Sequence, residues 1–129
     1  MREYKFRAWD HEAEAMLTNV SFRRNDRGVF IESDEFRGNC SPDRIHLMQY
    51  TGLRDSNNTE IFEGDIIEWY ENEYERKVGT VHWSNAQCGF VVSYENGLNW
   101  FLTAPPRPIK VIGNIYKKTI AEQHSLASA

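Results

Sequence analysis

Val78-Gly79-Thr80-Val81-His82-Trp83, then Ser84-Asn85, then Gly89-Phe90-Val91-Val92-Ser93-Tyr94 and the turn Glu95-Asn96-Gly97, is the stretch on which the fold reading rests. Both runs are short, rich in β-branched and aromatic residues, and bounded by turn formers, which predicts two strands. Asn-Gly is the strongest short hairpin signal, because both residues tolerate the positive φ of a tight turn. Working toward the N-terminus, Glu63-Gly64-Asp65 reads as a turn that opens the strand Ile66-Ile67-Glu68-Trp69-Tyr70, and residues 71–77 as a charged connection. Toward the C-terminus, Trp100-Phe101-Leu102 reads as a short fourth strand and Pro105-Pro106-Arg107-Pro108 as a stiff loop. Residues 109–116 form a last strand with Ile109, Val111 and Ile115 inward. Five short strands without an intervening amphipathic helix predict a small SH3-like five-stranded barrel over residues 63–116.

The first half also reads as β structure. Tyr4, Phe6 and Ala8 alternate with Glu3, Lys5 and Arg7, as in a half-buried strand that Trp9-Asp10 ends. Alternation resumes through Met16, Val20 and Phe22. Arg23-Arg24-Asn25-Asp26-Arg27-Gly28 reads as a charged loop and Val29-Phe30-Ile31 as a third strand, giving an antiparallel meander. Residues 32–43 read as a surface loop, in which Ser41-Pro42-Asp43 can cap one helical turn. Residues 45–50 then form a strand, and Asp55-Ser56-Asn57-Asn58 a tight turn, since Asn tolerates left-handed φ. The expected organisation is an N-terminal β-rich subdomain over residues 1–60, the barrel over residues 61–118, and a flexible tail over residues 119–129.

Composition narrows the function classes. The chain has 129 residues, 13% of them aromatic, with four Trp, six Tyr and seven Phe, enough for a packed interior. A net charge of −4 argues against indiscriminate nucleic-acid binding, which needs a clustered positive field. Met1-Arg2-Glu3-Tyr4-Lys5-Phe6 is charged from its second residue, so no signal peptide or membrane anchor is expected and the location is cytoplasmic. Cys40 and Cys88 have no partner at short spacing and read as free thiols in a reducing cytosol, a disulfide being the lesser alternative.

Four ordered blocks carry a resemblance. Lys5-Phe6-Arg7-Ala8-Trp9-Asp10 resembles the opening of YopX-like proteins of phages and prophages. Met48-Gln49-Tyr50-Thr51-Gly52-Leu53-Arg54-Asp55 resembles their central signature, followed at the expected distance by Glu60-Ile61-Phe62-Glu63-Gly64-Asp65-Ile66-Ile67. Val111-Ile112-Gly113-Asn114-Ile115-Tyr116 resembles their closing strand. The chain departs from the pattern at Asn57-Asn58, where the family tends to carry Asn-Gly. The resemblance implies a β-rich fold and a phage or prophage gene in a bacterial host. It brings no reaction and no catalytic residues.

The remaining constellations have structural readings. Glu63-Gly64-Asp65 sets two carboxylates side by side, yet Gly for the backbone angle and Asp for neighbouring amides suffice to open a strand. Glu68, Glu71, Glu73 and Glu75 lack the loop and glycine bend of a calcium site and read as a solvated hairpin tip. His11, His46, His82 and His124 are too scattered for a zinc site. No phosphate loop, dinucleotide fingerprint or nucleophile elbow occurs. For stacking on unpaired bases, Tyr50, Trp69, Tyr74, Trp83 and Trp100 supply rings, and Arg23, Arg24, Arg27, Arg107, Lys110, Lys117 and Lys118 supply charge. Core packing is the stronger reading of those rings. The expectation is therefore a non-catalytic accessory protein that binds a host or phage protein or a second copy of itself. The alternative is a nucleic-acid-binding module using the barrel face. No catalytic, cofactor or metal residue is assigned.

Overall fold

In the computed structural model, which describes residues 4–95, 97–102 and 108–117, the secondary structure is strands plus a single 3₁₀ turn. The chain divides into two compact units, one up to Tyr50 and one from Thr51 onward. Predicted features at Asn96, at residues 105–107 and over 119–129 lie outside the described residues.

In the first unit, β1 (Phe6–Asp10) lies between β2 (Ala15–Leu17) and the first half of β6 (Ile45–Arg54), antiparallel to both. β3 (Ser21–Asn25), β4 (Gly28–Glu32) and β5 (Arg37–Cys40) form a separate three-stranded meander. The core gathers Ala8, Leu17, Val20, Ile31 and Cys40, with Phe6, Val29, Phe36, Ile45 and Leu47 packed against it. Ser41 caps the 3₁₀ turn Pro42–Arg44, its Oγ accepting the Asp43 N–H.

Several sequence expectations change here. The N-terminal half is not one meander, because the partner of β1 comes from 35 or more positions downstream, Asp10 facing Ile45. β1 ends at Trp9-Asp10 as expected, and both residues are buried. The run from Met16 to Phe22 breaks into two strands at Asn19, which has φ 53°. Arg23, Arg24 and Asn25 are strand residues, since a two-residue turn at Asp26-Arg27 is enough to reverse the chain. The expected loop over residues 32–43 contains β5, whose ladder to β4 satisfies backbone groups that composition alone assigns to water.

The second unit holds the end of β6, β7 (Glu60–Phe62), and a five-stranded antiparallel sheet. The sheet comprises β8 (Asp65–Tyr70), β9 (Arg76–Ser84), β10 (Gly89–Tyr94), β11 (Leu98–Phe101) and β12 (Lys110–Asn114). Their spatial order is β11-β10-β9-β8-β12. All five expected strands are present, the fourth running from Leu98 to Phe101 and not from Trp100 to Leu102. β9 is long enough to serve two partners, residues 76–80 facing β8 and residues 80–84 facing β10. Ile61, Ile67, Trp69, Val81, Phe90, Val92, Leu102 and Ile109 form the core. The Trp69 ring meets Tyr94 and Trp100 edge-on at 5.1 Å each, a geometry worth about 1 kcal/mol per pair beyond area burial. Gly79 permits this packing, because a Cβ there would stand 2.6 Å from Val92 Cγ1 and 2.9 Å from the Ser93 carbonyl oxygen.

Ile115 was expected inward and is 38% exposed. A bulge shifts the β12 register between Val111 and Gly113, so the two-residue period that turns Ile109 and Val111 inward no longer applies beyond it.

Candidate functional site

The two edges of the five-stranded sheet are finished differently. On β12 the Asp55 carboxylate accepts the Val111 N–H at 2.9 Å, and the Ile109 carbonyl accepts both the Ser56 N–H and its hydroxyl. A bulge and Lys110 complete the protection of that edge against a further strand. Asp55 is held in place because its other oxygen accepts the amides of Asn57 and Thr59 at 2.8 Å, while Asn58 takes φ 67°. The predicted role for Asn in that turn is borne out.

β11 ends the sheet on the other side, and among the described residues no strand adds to it. Its register sets Tyr94 opposite Leu98, Ser93 opposite Asn99, Val92 opposite Trp100 and Val91 opposite Phe101. Trp100 turns toward the core, whereas Leu98 is 51% and Phe101 53% exposed. The Phe101 ring lies across the backbone of Gly89, 3.5 Å from where a Cβ would be. Exposed apolar residues are ordinary one at a time. Here two stand on a four-residue strand at the end of a sheet, a template for strand addition.

Beside that strand, His82, Ser93 and Asn99 form a chain across β9, β10 and β11. The Asn99 Nδ2 donates to the Gly97 carbonyl, which turns its Oδ1 toward Ser93. The Ser93 hydroxyl donates to that Oδ1, and His82 Nε2 lies against the same hydroxyl while its Nδ1 faces the Trp83 carbonyl at 3.4 Å.

The residues singled out in sequence are largely structural. Gly64 has φ 84°, its N–H donates to Val81 O at 2.8 Å, and its carbonyl accepts the Ile115 N–H at 2.9 Å. Asp65 is 2% exposed, with Oδ2 accepting the Phe62 N–H, so this carboxylate secures the turn that opens β8. Within the acidic run, Glu68 pairs with Arg76 at 2.6 Å, Glu71 accepts the Trp69 indole N–H, and Glu75 lies 3.8 Å from Lys77. Among the described residues no group of three His, Cys, Asp or Glu is placed to hold a metal ion. His11 follows β1, His46 is in β6, and His124 lies outside the described residues. Both cysteines are free, Cys40 buried and Cys88 exposed. Burial pushes the Cys40 thiol pKa up.

Of the five candidate stacking rings, Tyr50 and Trp69 are buried and Trp100 packs against the core, leaving Tyr74 and Trp83 exposed. Arg23 and Arg24 are on β3 and Arg27 in the turn after it. Lys110 and Lys117 are in the second unit, and Arg107 and Lys118 lie outside the described residues. Sequence reasoning missed Leu98, Ser93, Asn99 and Phe101. Leu98 directly after Asn-Gly carried a usable signal, because pairing restarts just past such a turn, here with Leu98 opposite Tyr94.

No helix among the described residues is long and apolar enough to cross a membrane. The fold and its edges define a two-unit antiparallel β protein in which one sheet edge is capped by side chains. The chain belongs to the YopX family: the model of that family, described as YopX protein, matches residues 5–119. The crystal structure of protein EF1440 from Enterococcus faecalis is similar, with 25% identity, a TM-score of 0.61, and coverage of 90% of this chain and 95% of that one. No curated protein matches.

Proposed function

We propose that this YopX-family chain is a non-catalytic accessory protein of a phage or prophage. It acts in the cytoplasm of the bacterial host by accepting an extended protein segment, from a partner or a second copy, along the edge of β11. The observation that carries this reading is the contrast between a β12 edge closed by Asp55 and Ser56 and a β11 edge that presents Leu98 and Phe101. The five strands are read as an SH3-like barrel: four follow one another as a meander and the fifth returns beside the first, β12 against β8. The free thiols fit a reducing compartment.

Size exclusion with light scattering over a concentration series, together with a pull-down from bacterial lysate, tests it. Self-association or a specific capture is expected, and either is expected to disappear in Leu98→Lys and Phe101→Lys, since edge lysines block strand addition. A strict monomer that captures nothing overturns the reading. So does association that both lysine variants retain.

A further inference from the structure

The outer face of the β3–β4–β5 sheet, in the first unit, carries a second arrangement. Alternation on β4 turns Val29 and Ile31 to the core and leaves Phe30 on the opposite face. Across the ladder Arg23 on β3 stands opposite Phe30, and Arg37 on β5 stands opposite Glu32. The Arg23 guanidinium is 4.8 Å from the centroid of the Phe30 ring, and that of Arg37 is 5.9 Å away. Ser21, Phe22, Arg23, Phe30, Glu32 and Arg37 line a groove of about 180 Å³.

Phe30 is half-buried on that face and is not part of the core cluster beneath the sheet. Arg37 shares its charge with Glu32, its Nε 3.0 Å from Oε1, both side chains well exposed. Arg23 makes no ion pair among the described residues, and its guanidinium lies over the Phe30 ring. The groove is smaller than the ~300 Å³ at which enclosed small-molecule sites begin. It is instead an open platform, with an aromatic on the central strand and a guanidinium on each flanking strand. Such a surface offers flat faces for unpaired bases and cations for the phosphates between them.

We infer that this face binds single-stranded nucleic acid, by stacking on Phe30 and the guanidinium planes and by phosphate contacts to Arg23 and Arg37. Sequence reasoning looked for such a platform among Tyr50, Trp69, Tyr74, Trp83 and Trp100, whereas this one is built from Phe30 and two arginines on three adjacent strands. It involves no residue of β11 and stands independently of strand addition there. With two phosphate contacts and a chain of net charge −4, binding is modest and salt-sensitive. A slope of about −0.7 per contact predicts about sevenfold weaker binding at 200 than at 50 mM salt.

Fluorescence anisotropy with a labelled oligothymidylate single strand, and with a duplex of the same length, tests the inference at those two salt concentrations. The single strand is expected to bind and the duplex to bind more weakly. Arg23→Gln and Arg37→Gln should each weaken binding and flatten the salt dependence, and Phe30→Ser should weaken it about fivefold or more. Arg24→Gln, on the same strand but the opposite face, should leave it unchanged. Thermal melts confirm that each variant folds; should Phe30→Ser not fold, the contrast between Arg23→Gln and Arg24→Gln decides. No binding at the lower salt, duplex binding as tight as single-strand binding, or equal losses in Arg23→Gln and Arg24→Gln would overturn it.

Discussion

Arg44 meets Asp10 as a fork on a carboxylate: Nε donates to Oδ1 and Nη2 to Oδ2, each at 2.9 Å, across 34 residues of sequence. Asp10 is 1% exposed, and its Oδ1 also accepts the amides of Glu12 and Ala13. One buried carboxylate thus holds the end of β1, the turn after it and the 3₁₀ turn that leads into β6. Removing Arg44 leaves the Asp10 carboxylate buried without its counter-charge. Arg44→Met is expected to destabilise the protein by about 3 kcal/mol, measured as a shift in the urea midpoint. Asp10→Asn should cost less than Arg44→Met, because its amide oxygen can still accept from Glu12 and Ala13.

The same pair makes stability depend on acid. The hydrogen bonds from Arg44, helped by the Glu12 and Ala13 amides, hold the Asp10 carboxyl at about 2 against an ordinary 3.8. The lowered value means that the unfolded chain takes up this proton first, so the stabilisation is complete above about pH 4 and fades as pH falls through 2. About 2 kcal/mol is at stake. Urea melts between pH 7 and pH 2 should show this loss in the native chain, and Arg44→Met should show a smaller one.

Gly79→Ala should disrupt the second unit. The added methyl meets Val92 Cγ1 at 2.6 Å, the Ser93 carbonyl at 2.9 Å and the Trp69 ring at 3.2 Å, and the carbonyl belongs to the ladder. Overpacking of this kind costs about 2 kcal/mol. A fall in melting temperature, accompanied by a changed Trp fluorescence maximum, is the expected result.

Asp55→Ala should loosen the capped edge. Three amides, those of Asn57, Thr59 and Val111, lose their acceptor together, for a cost of about 3 kcal/mol. Hydrogen exchange should rise at Val111 and in the turn before β7, and stay unchanged in the first unit. Exchange at Val111 equal to that of the native chain would contradict the assignment of this carboxylate.

The two thiols should separate by rate. Cys88 is exposed in a turn, whereas Cys40 is buried, bonds to the Val29 carbonyl, and has its pKa raised by burial. A thiol-reactive dye is expected to label one site per chain quickly and the second only in denaturant. Mass mapping should assign the fast site to Cys88.

What could be read without coordinates was local. Strands β8 to β10 were legible because alternation of β-branched and aromatic residues reports the pleat directly. The Ser41 cap, the left-handed Asn58 and the Gly64-Asp65 turn were legible because each depends on φ, ψ and a side chain within three residues. The candidate site was far less so. Leu98 and Phe101 look like ordinary strand residues until the sheet order places them at its end, and Phe30 looks like core until the register turns it outward.

The sequence by itself therefore determined the class of this protein: antiparallel strands, turns at particular residues, and YopX-like blocks in order. Only the tertiary structure decided that β1 sits between β2 and β6, that Asp10 finds Arg44, that Asp55 closes β12, and that the β12 bulge exposes Ile115. Local conformation is set by sterics and hydrogen bonds among neighbours, which a short window of residues contains. Pairing across dozens of residues is set by register, burial and loop closure, and a one-residue slip in any ladder would exchange the buried face for the exposed one.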